Sequence, residues 1–116
     1  MQQRSCNFSI FGTVNTLMKQ LKGVNIREKS LLAWIAARKL KVSKVALTLG
    51  NTIHLNNVSF TEFQNDQRWV NHEMVHIMQF KRYGYLKFIY MYLLESIKKG
   101  YYNNRFEVEA RENEGV

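Results

Sequence analysis

Hydrophobic residues in the first forty positions recur at helical spacing. Over residues 11–21 they return every three or four positions, and Gly23 follows the run, which predicts a first helix. A second helix is predicted over residues 26–40, with Trp34 in the core. Its inward stripe is expected to consist of Leu31, Leu32, Ile35 and Ala36, and its wet side of Arg27, Lys29, Arg38 and Lys39.

The period changes from helical to alternating over residues 44–55. Apolar side chains occupy every second position on either side of Gly50-Asn51, which predicts a β-hairpin with that dipeptide as its turn. His54 falls on the second strand, on the face opposite Ile53 and Leu55. We expect His54 to be an exposed strand residue and not a metal ligand.

Helical spacing returns after the hairpin. Asn65 or Asp66 can cap a helix that runs to about Tyr83, where Gly84 stops it. Two further helices are predicted over residues 85–99 and 104–113, separated by Gly100. The 85–99 helix is apolar nearly all round, which favours core packing, with a membrane-surface face or a dimer contact as alternatives. The element order predicts a mostly helical α+β domain with a minimal sheet.

The 116 residues contain no proline and no internal repeat, so they indicate a single domain. Within it, residues 1–43 form a basic helical part, and residues 44–116 carry the hairpin and the later helices. One cysteine excludes an internal disulfide framework and a cysteine-rich zinc site. The sequence shows neither a secretory signal nor a membrane span, so we expect a cytoplasmic location.

The net charge of +8 is concentrated in the first half of the chain. Residues 1–50 hold nine Lys/Arg and one acidic residue, whereas residues 51–116 hold eight of each sign. A solvated helical face accounts for this excess. The alternative is a binding surface for nucleic acid, an anionic membrane or an acidic protein.

The most specific signal is the sequence His72-Glu73-Met74-Val75-His76. On a helix, this spacing places two imidazoles one turn apart on one face, where both can bind one Zn²⁺ ion beside a glutamate that can act as general base. Catalytic zinc usually takes three protein ligands. No Gly-x-x-His follows the motif, so a later carboxylate, Glu107 or Glu109, is the remaining candidate.

With Glu107-x-x-Ala110 on a later helix, the chain resembles the gluzincin peptidases, and most of all their minimal members and related bacterial peptidase-like domains. The resemblance covers about residues 44–112. It implies a zincin-like domain and a zinc metallopeptidase that hydrolyses peptides or unfolded proteins. His72, His76 and Glu107 would be the zinc ligands and Glu73 the general base, since the family's ligand glutamate stands three positions before the small residue.

The same resemblance assigns supporting roles. The strand formed by Thr52, Ile53, His54 and Leu55 resembles the cleft-edge strand that pairs with substrate. Tyr101, Tyr102 and Arg105 are candidates for stabilising an oxyanion.

The chain departs from the family at Arg111, where members commonly have an aspartate that accepts a hydrogen bond from a ligand histidine. Arginine cannot accept that bond. Arg111 therefore leaves open a catalytically degenerate binding module that retains zinc. The basic first half of the chain separately leaves open a binder of nucleic acid or of a membrane surface.

Overall fold

The computed structural model describes residues 23–115, so the predicted helix over residues 11–21 lies outside the described part. The predicted α+β class, mostly helical with a small sheet, is confirmed. The elements in chain order are β1 (Asn25–Arg27), α1 (Leu31–Leu40), β2 (Val45–Leu49), β3 (Thr52–Asn56), α2 (Phe60–Gln64), α3 (Gln67–Tyr83), α4 (Tyr85–Asn103) and α5 (Arg105–Glu112).

The predicted hairpin forms, and it belongs to a three-stranded sheet of order β1-β3-β2. β2 and β3 are antiparallel, and Leu49 pairs with Thr52 across the Gly50-Asn51 turn. Gly50 has φ +63°, a backbone conformation that glycine adopts without strain. β1 pairs in parallel with β3, so β3 is the central strand. The prediction that residues 52–55 form the edge of a cleft is therefore wrong, because both sides of β3 are paired.

The single helix predicted over residues 26–40 is also wrong at its start. Val24 and Ile26 alternate with polar residues, and this short stretch is strand β1 along β3. Lys29 then has φ +51°, a left-handed conformation that separates strand β1 from the helix. Ser30 caps α1, since its side chain accepts a hydrogen bond from the backbone N–H of Ala33.

α1 packs on the sheet through its small residues. Ala33 and Ala37 are buried, four positions apart on one face. The predicted inward stripe of large residues is wrong, since Leu31 is 68% exposed and Leu32 and Ile35 are also exposed. Trp34, predicted in the core, is 47% exposed. Alanines at the contact allow the helix axis to approach the sheet closely, and this leaves the larger side chains on the outside.

His54 lies under the start of α1 and not on an exposed face as predicted. It does occupy the face opposite Ile53 and Leu55, but the helix covers that face. Its Nδ1 lies 2.8 Å from Ser30 Oγ. Burial and the nearby Arg27 lower the pKa of His54.

The other face of the sheet holds the main core. Asp66 caps α3 as predicted, with Oδ1 accepting from the backbone N–H of Trp69 at 3.1 Å. α3 then packs across the sheet, preceded by the short helix α2 that the sequence pattern did not indicate. The core residues are Ala46, Ile53, Leu55, Val58, Phe63, Trp69, Val70 and Ile77.

α4 and α5 pack against α3 and complete the domain, and α4 also lies near the β2 end of the hairpin. Gly84 separates α3 from α4, and Gly100 has a non-helical conformation, so the predicted ends at both glycines are confirmed. The predicted core packing of α4 holds for one face only: Phe88 is buried against Phe80 and Phe106, whereas Leu86 is 77% exposed. None of the helices within residues 23–115 is long and apolar enough to cross a membrane.

Candidate metal centre

Three side chains from two helices meet in the interior. His72 and His76 lie one turn apart on α3, and Glu107 reaches them from α5. Glu107 Oε1 is 3.0 Å from His72 Nε2 and 3.2 Å from His76 Nε2. All three residues are buried, and their ligand atoms lie within 4.8 Å of one another. This group can hold a metal ion.

Asn104 positions Glu107 by fixing the start of α5. Its side chain caps the helix, accepting from the backbone N–H of Phe106 at 2.9 Å. Its amide nitrogen donates to the Tyr92 carbonyl at 3.0 Å and to Ser96 Oγ at 2.9 Å, both on α4. These bonds hold α5 against α4 in the register that directs Glu107 towards α3.

Gln79 fixes the tautomer of His76. The Gln79 amide nitrogen donates to the Phe106 carbonyl at 3.2 Å and to Glu109 Oε1 at 2.6 Å, so its oxygen must face the other way. That oxygen lies 2.9 Å from His76 Nδ1, which must therefore be the donor. His76 Nε2 is consequently the ring nitrogen that carries the lone pair, and it faces Glu107 Oε1.

Glu114 does the same for His72. Its Oε2 lies 2.7 Å from His72 Nδ1, and a carboxylate can only accept, so Nδ1 donates. Arg68 lies 3.5 Å from the other carboxylate oxygen, and Asn71 donates to the Glu114 backbone carbonyl at 3.2 Å. These contacts hold the turn after α5 against α3.

Glu114 also supplies the hydrogen-bond acceptor that Arg111 cannot supply. The hydrogen bond that an aspartate at position 111 would accept is accepted here by a carboxylate three residues later. Arg111 is directed at Tyr102: its guanidinium carbon lies 4.0 Å from the ring centroid, and it donates to the Tyr102 carbonyl. Arginine at position 111 therefore does not leave His72 Nδ1 without an acceptor.

The donor set fits a divalent cation. With both Nδ1 hydrogens engaged, two nitrogen lone pairs and one carboxylate oxygen converge on one buried point, and only a proton or a metal ion can relieve their repulsion. Ligands 2.0–2.1 Å from a tetrahedral zinc ion lie about 3.3 Å apart. The observed separations of 3.0 and 3.2 Å are close to that spacing.

The pKa values follow from the same contacts. Burial acts to raise the pKa of Glu107, but His76 and His72 hold it well below its usual value, so Glu107 stays ionised. Burial acts to lower the pKa of His72, and its hydrogen bonds to Glu107 and Glu114 more than offset this and raise it. Glu107 therefore brings a negative charge to this group.

Glu73 lies beside this group without belonging to it. It is fully buried, and its Oε1 accepts from Thr48 Oγ1 on β2 at 2.7 Å. Its Oε2 has no hydrogen-bond partner among residues 23–115. A buried carboxylate oxygen without a partner is costly, so this atom marks a position where a polar ligand or water is expected.

The three candidates for an oxyanion donor have different positions. Tyr101 lies near the site: burial, Glu107 and Glu73 raise its pKa, so its hydroxyl stays protonated. Tyr102 is exposed at the surface, and the Arg111 guanidinium lies over one face of its ring. Arg105 is directed outward, 3.7 Å from Glu95 and over the Phe106 ring. Of the three, only Tyr101 is brought near the metal centre.

Four residues that bond directly to the candidate ligands or to Glu73 were not predicted from the sequence: Thr48, Gln79, Tyr92 and Glu114. The Tyr92 hydroxyl donates to Glu107 Oε2, and burial together with the Glu107 carboxylate raises its pKa, so it remains a donor. Glu107 thus presents only Oε1 to an ion. A sequence signal existed for Glu114, which stands seven positions after Glu107, and for Gln79, three positions after His76. Thr48 and Tyr92 carry no such signal.

The comparisons with known proteins give one match. The eCIS core domain, a domain named for extracellular contractile injection systems, matches residues 15–84. The matched stretch contains the sheet and α3 with both histidines, and ends before Glu107 and Glu114. No curated protein and no solved structure gave a match. Because the match spans more than half of the 116 residues, the chain belongs to the eCIS core domain family.

Proposed function

We propose that this eCIS core domain is a zinc-dependent hydrolase of the gluzincin type that cleaves peptide bonds in flexible or unfolded protein segments. The observation that carries the proposal is Glu73 Oε2, a buried carboxylate oxygen without a partner among residues 23–115, beside the group formed by His72, His76 and Glu107. A site that only stored a metal would not need a buried, unsatisfied base next to it.

The choice of zinc follows from the ligands. Two imidazoles and one carboxylate are the ligand set of known catalytic zinc sites, which leave a fourth position open. Tyr92 holds the second oxygen of Glu107, so the carboxylate offers one ligand atom and the fourth position stays available. Zinc, when bound, lowers the pKa of water and polarises a carbonyl group.

The protein residues would carry the proton. Glu73 Oε2 accepts a proton from the attacking water as the water oxygen forms a bond to the peptide carbonyl carbon. The same oxygen then donates that proton to the peptide nitrogen as the C–N bond breaks. Thr48 keeps Oε1 engaged, which leaves Oε2 as the oxygen that would exchange the proton. The Tyr101 hydroxyl, which burial keeps protonated, is the candidate donor to the carbonyl oxygen.

The test compares wild type with Glu73→Gln, both loaded with zinc. We expect wild type to cleave an unfolded protein such as reduced, alkylated casein, and Glu73→Gln to lose at least about a thousandfold in rate while keeping its zinc. Glu112→Gln, an exposed glutamate on α5, is the matched control and should retain activity. Equal cleavage by Glu73→Gln and wild type would overturn the proposed role of Glu73.

A second function is favoured by the family match. The eCIS core domain family is named for injection machinery and not for a peptidase, which fits a binding module whose metal ion stabilises the fold. In that case zinc would raise the melting temperature, and neither wild type nor Glu73→Gln would cleave any unfolded protein. The same experiment therefore separates the two functions.

A further inference from the structure

We infer that the domain binds peptides through a large apolar side chain next to the bond to be cleaved, and that an apolar cavity beside the metal centre receives this side chain. Cleavage of the bound peptide rests on the proposed function. The binding preference itself stands on the cavity alone.

The cavity adjoins the reacting groups. His76, a candidate metal ligand, lines it, as does Tyr92, whose hydroxyl bonds to Glu107. Thr48 lines it from the sheet side and bonds to Glu73. A side chain in this cavity would therefore place its own backbone within reach of both the metal group and the general base.

The rest of the lining is apolar. Aromatic and aliphatic side chains from β2, α3 and α4 form the walls, among them Leu47, Leu49, Phe80, Phe88 and Ile89. The cavity measures about 220 Å³. An apolar cavity of about 150 Å³ in another protein accommodates benzene, so this one has room for a leucine, methionine or phenylalanine side chain. A charged side chain would find few polar partners there and would be disfavoured.

Strand β2 offers a way to hold the peptide backbone. β2 pairs with β3 on one side, and within residues 23–115 no strand pairs with its other side. Three of its residues line the cavity. An extended peptide alongside this edge can form backbone hydrogen bonds with little sequence preference, which leaves the cavity to select one side chain.

The test is a binding measurement that does not depend on cleavage. Binding of fluorescein-labelled decapeptides to zinc-loaded Glu73→Gln is measured by fluorescence anisotropy. Peptides that consist only of Gly, Ser and Ala are compared with peptides that carry one leucine at successive positions. Burying a leucine in place of an alanine should strengthen binding about ten- to a hundredfold at the favoured position. Equal affinity for both peptide types, or no measurable binding of either, would overturn the inference.

A matched pair of variants locates the preference. Leu93 lines the cavity and is 55% exposed, so Leu93→Trp should fold while filling part of the space. Leu86 lies on the same helix, is more exposed and does not line the cavity, so Leu86→Trp is the control. We expect Leu93→Trp to reduce the leucine preference about tenfold and Leu86→Trp to leave it unchanged. An unchanged preference in Leu93→Trp would assign the binding to another surface.

Mapping cleavage sites distinguishes this inference from the proposed function. If wild type cleaves casein mainly beside Leu, Ile, Phe or Met, both stand. Cleavage without such enrichment overturns the inference and leaves the hydrolase. A leucine preference in binding together with no cleavage by wild type upholds the cavity as a binding site and overturns the hydrolase.

Discussion

Substitution of Glu114 tests the support of the metal centre most directly. Its carboxylate is the acceptor for His72 Nδ1, at 2.7 Å, and the histidine then presents Nε2 to the ion. Glu114→Ala removes that acceptor and the negative charge near the ligand. The bond from Asn71 goes to the backbone carbonyl of Glu114, so it survives the change. Arg68 loses its partner but is half exposed and can be hydrated.

Loss of such a partner typically lowers metal affinity 10- to 100-fold. For Glu114→Ala this corresponds to about 1.4–2.7 kcal/mol of zinc-binding free energy. Glu114→Gln should fall between wild type and Glu114→Ala, since an amide oxygen can still accept the hydrogen bond but carries no charge. The order of affinities separates the loss of the hydrogen bond from the loss of the charge.

The assay is competition for zinc against a chromophoric chelator at pH 7.5, with folding checked by circular dichroism. Glu112→Ala, an exposed position at the end of α5, should match wild type. Zinc affinity in Glu114→Ala equal to that of Glu112→Ala would refute the reasoning. It would mean that the orientation of His72 is set by the packing of α3 and not by this carboxylate.

Two further predictions concern the ion and the hairpin. Glu107→Ala should abolish stoichiometric zinc, measured by plasma mass spectrometry. It should also abolish the stabilisation expected from zinc in wild type, about 2.7 kcal/mol when free zinc is 100 times the dissociation constant, which is followed as a rise in melting temperature. Retention of one zinc per chain in Glu107→Ala would contradict the ligand assignment. Gly50→Ala should destabilise the fold by about 1–3 kcal/mol in urea, because φ is +63° and the added Cβ would lie 3.0 Å from the Tyr85 ring; an unchanged urea midpoint would contradict this.

Much of the half that carries the candidate metal centre could be predicted because its signals are local. Asp66 at the start of α3 and Gly84 at its end act through their own backbone, and the spacing of His72 and His76 within one helix fixes their common face. The break in α4 at Gly100 is encoded in the same way.

The errors arose where packing between distant elements decided the outcome. For α1, the stripe of large residues and the pair Ala33 and Ala37 are both consistent with a helix, and the close approach to the sheet selected the alanines. For β3, its central position depends on β1, a strand of three residues too short for its alternation to be distinctive. His54 was misplaced for the same reason, because α1 covers it.

The division of the metal centre between the matched and unmatched parts of the chain limits what family membership implies. Residues 15–84 supply both histidines, Glu73, Thr48 and Gln79. Glu107 and Glu114 come from α5 and the turn after it, beyond the matched stretch. Two histidines without a third protein ligand make a poor catalytic zinc site. The capacity of this chain to hold a metal ion therefore depends on the way Asn104 docks α5 against α4. A family member that lacks an equivalent carboxylate should keep the sheet and α3 but bind zinc weakly.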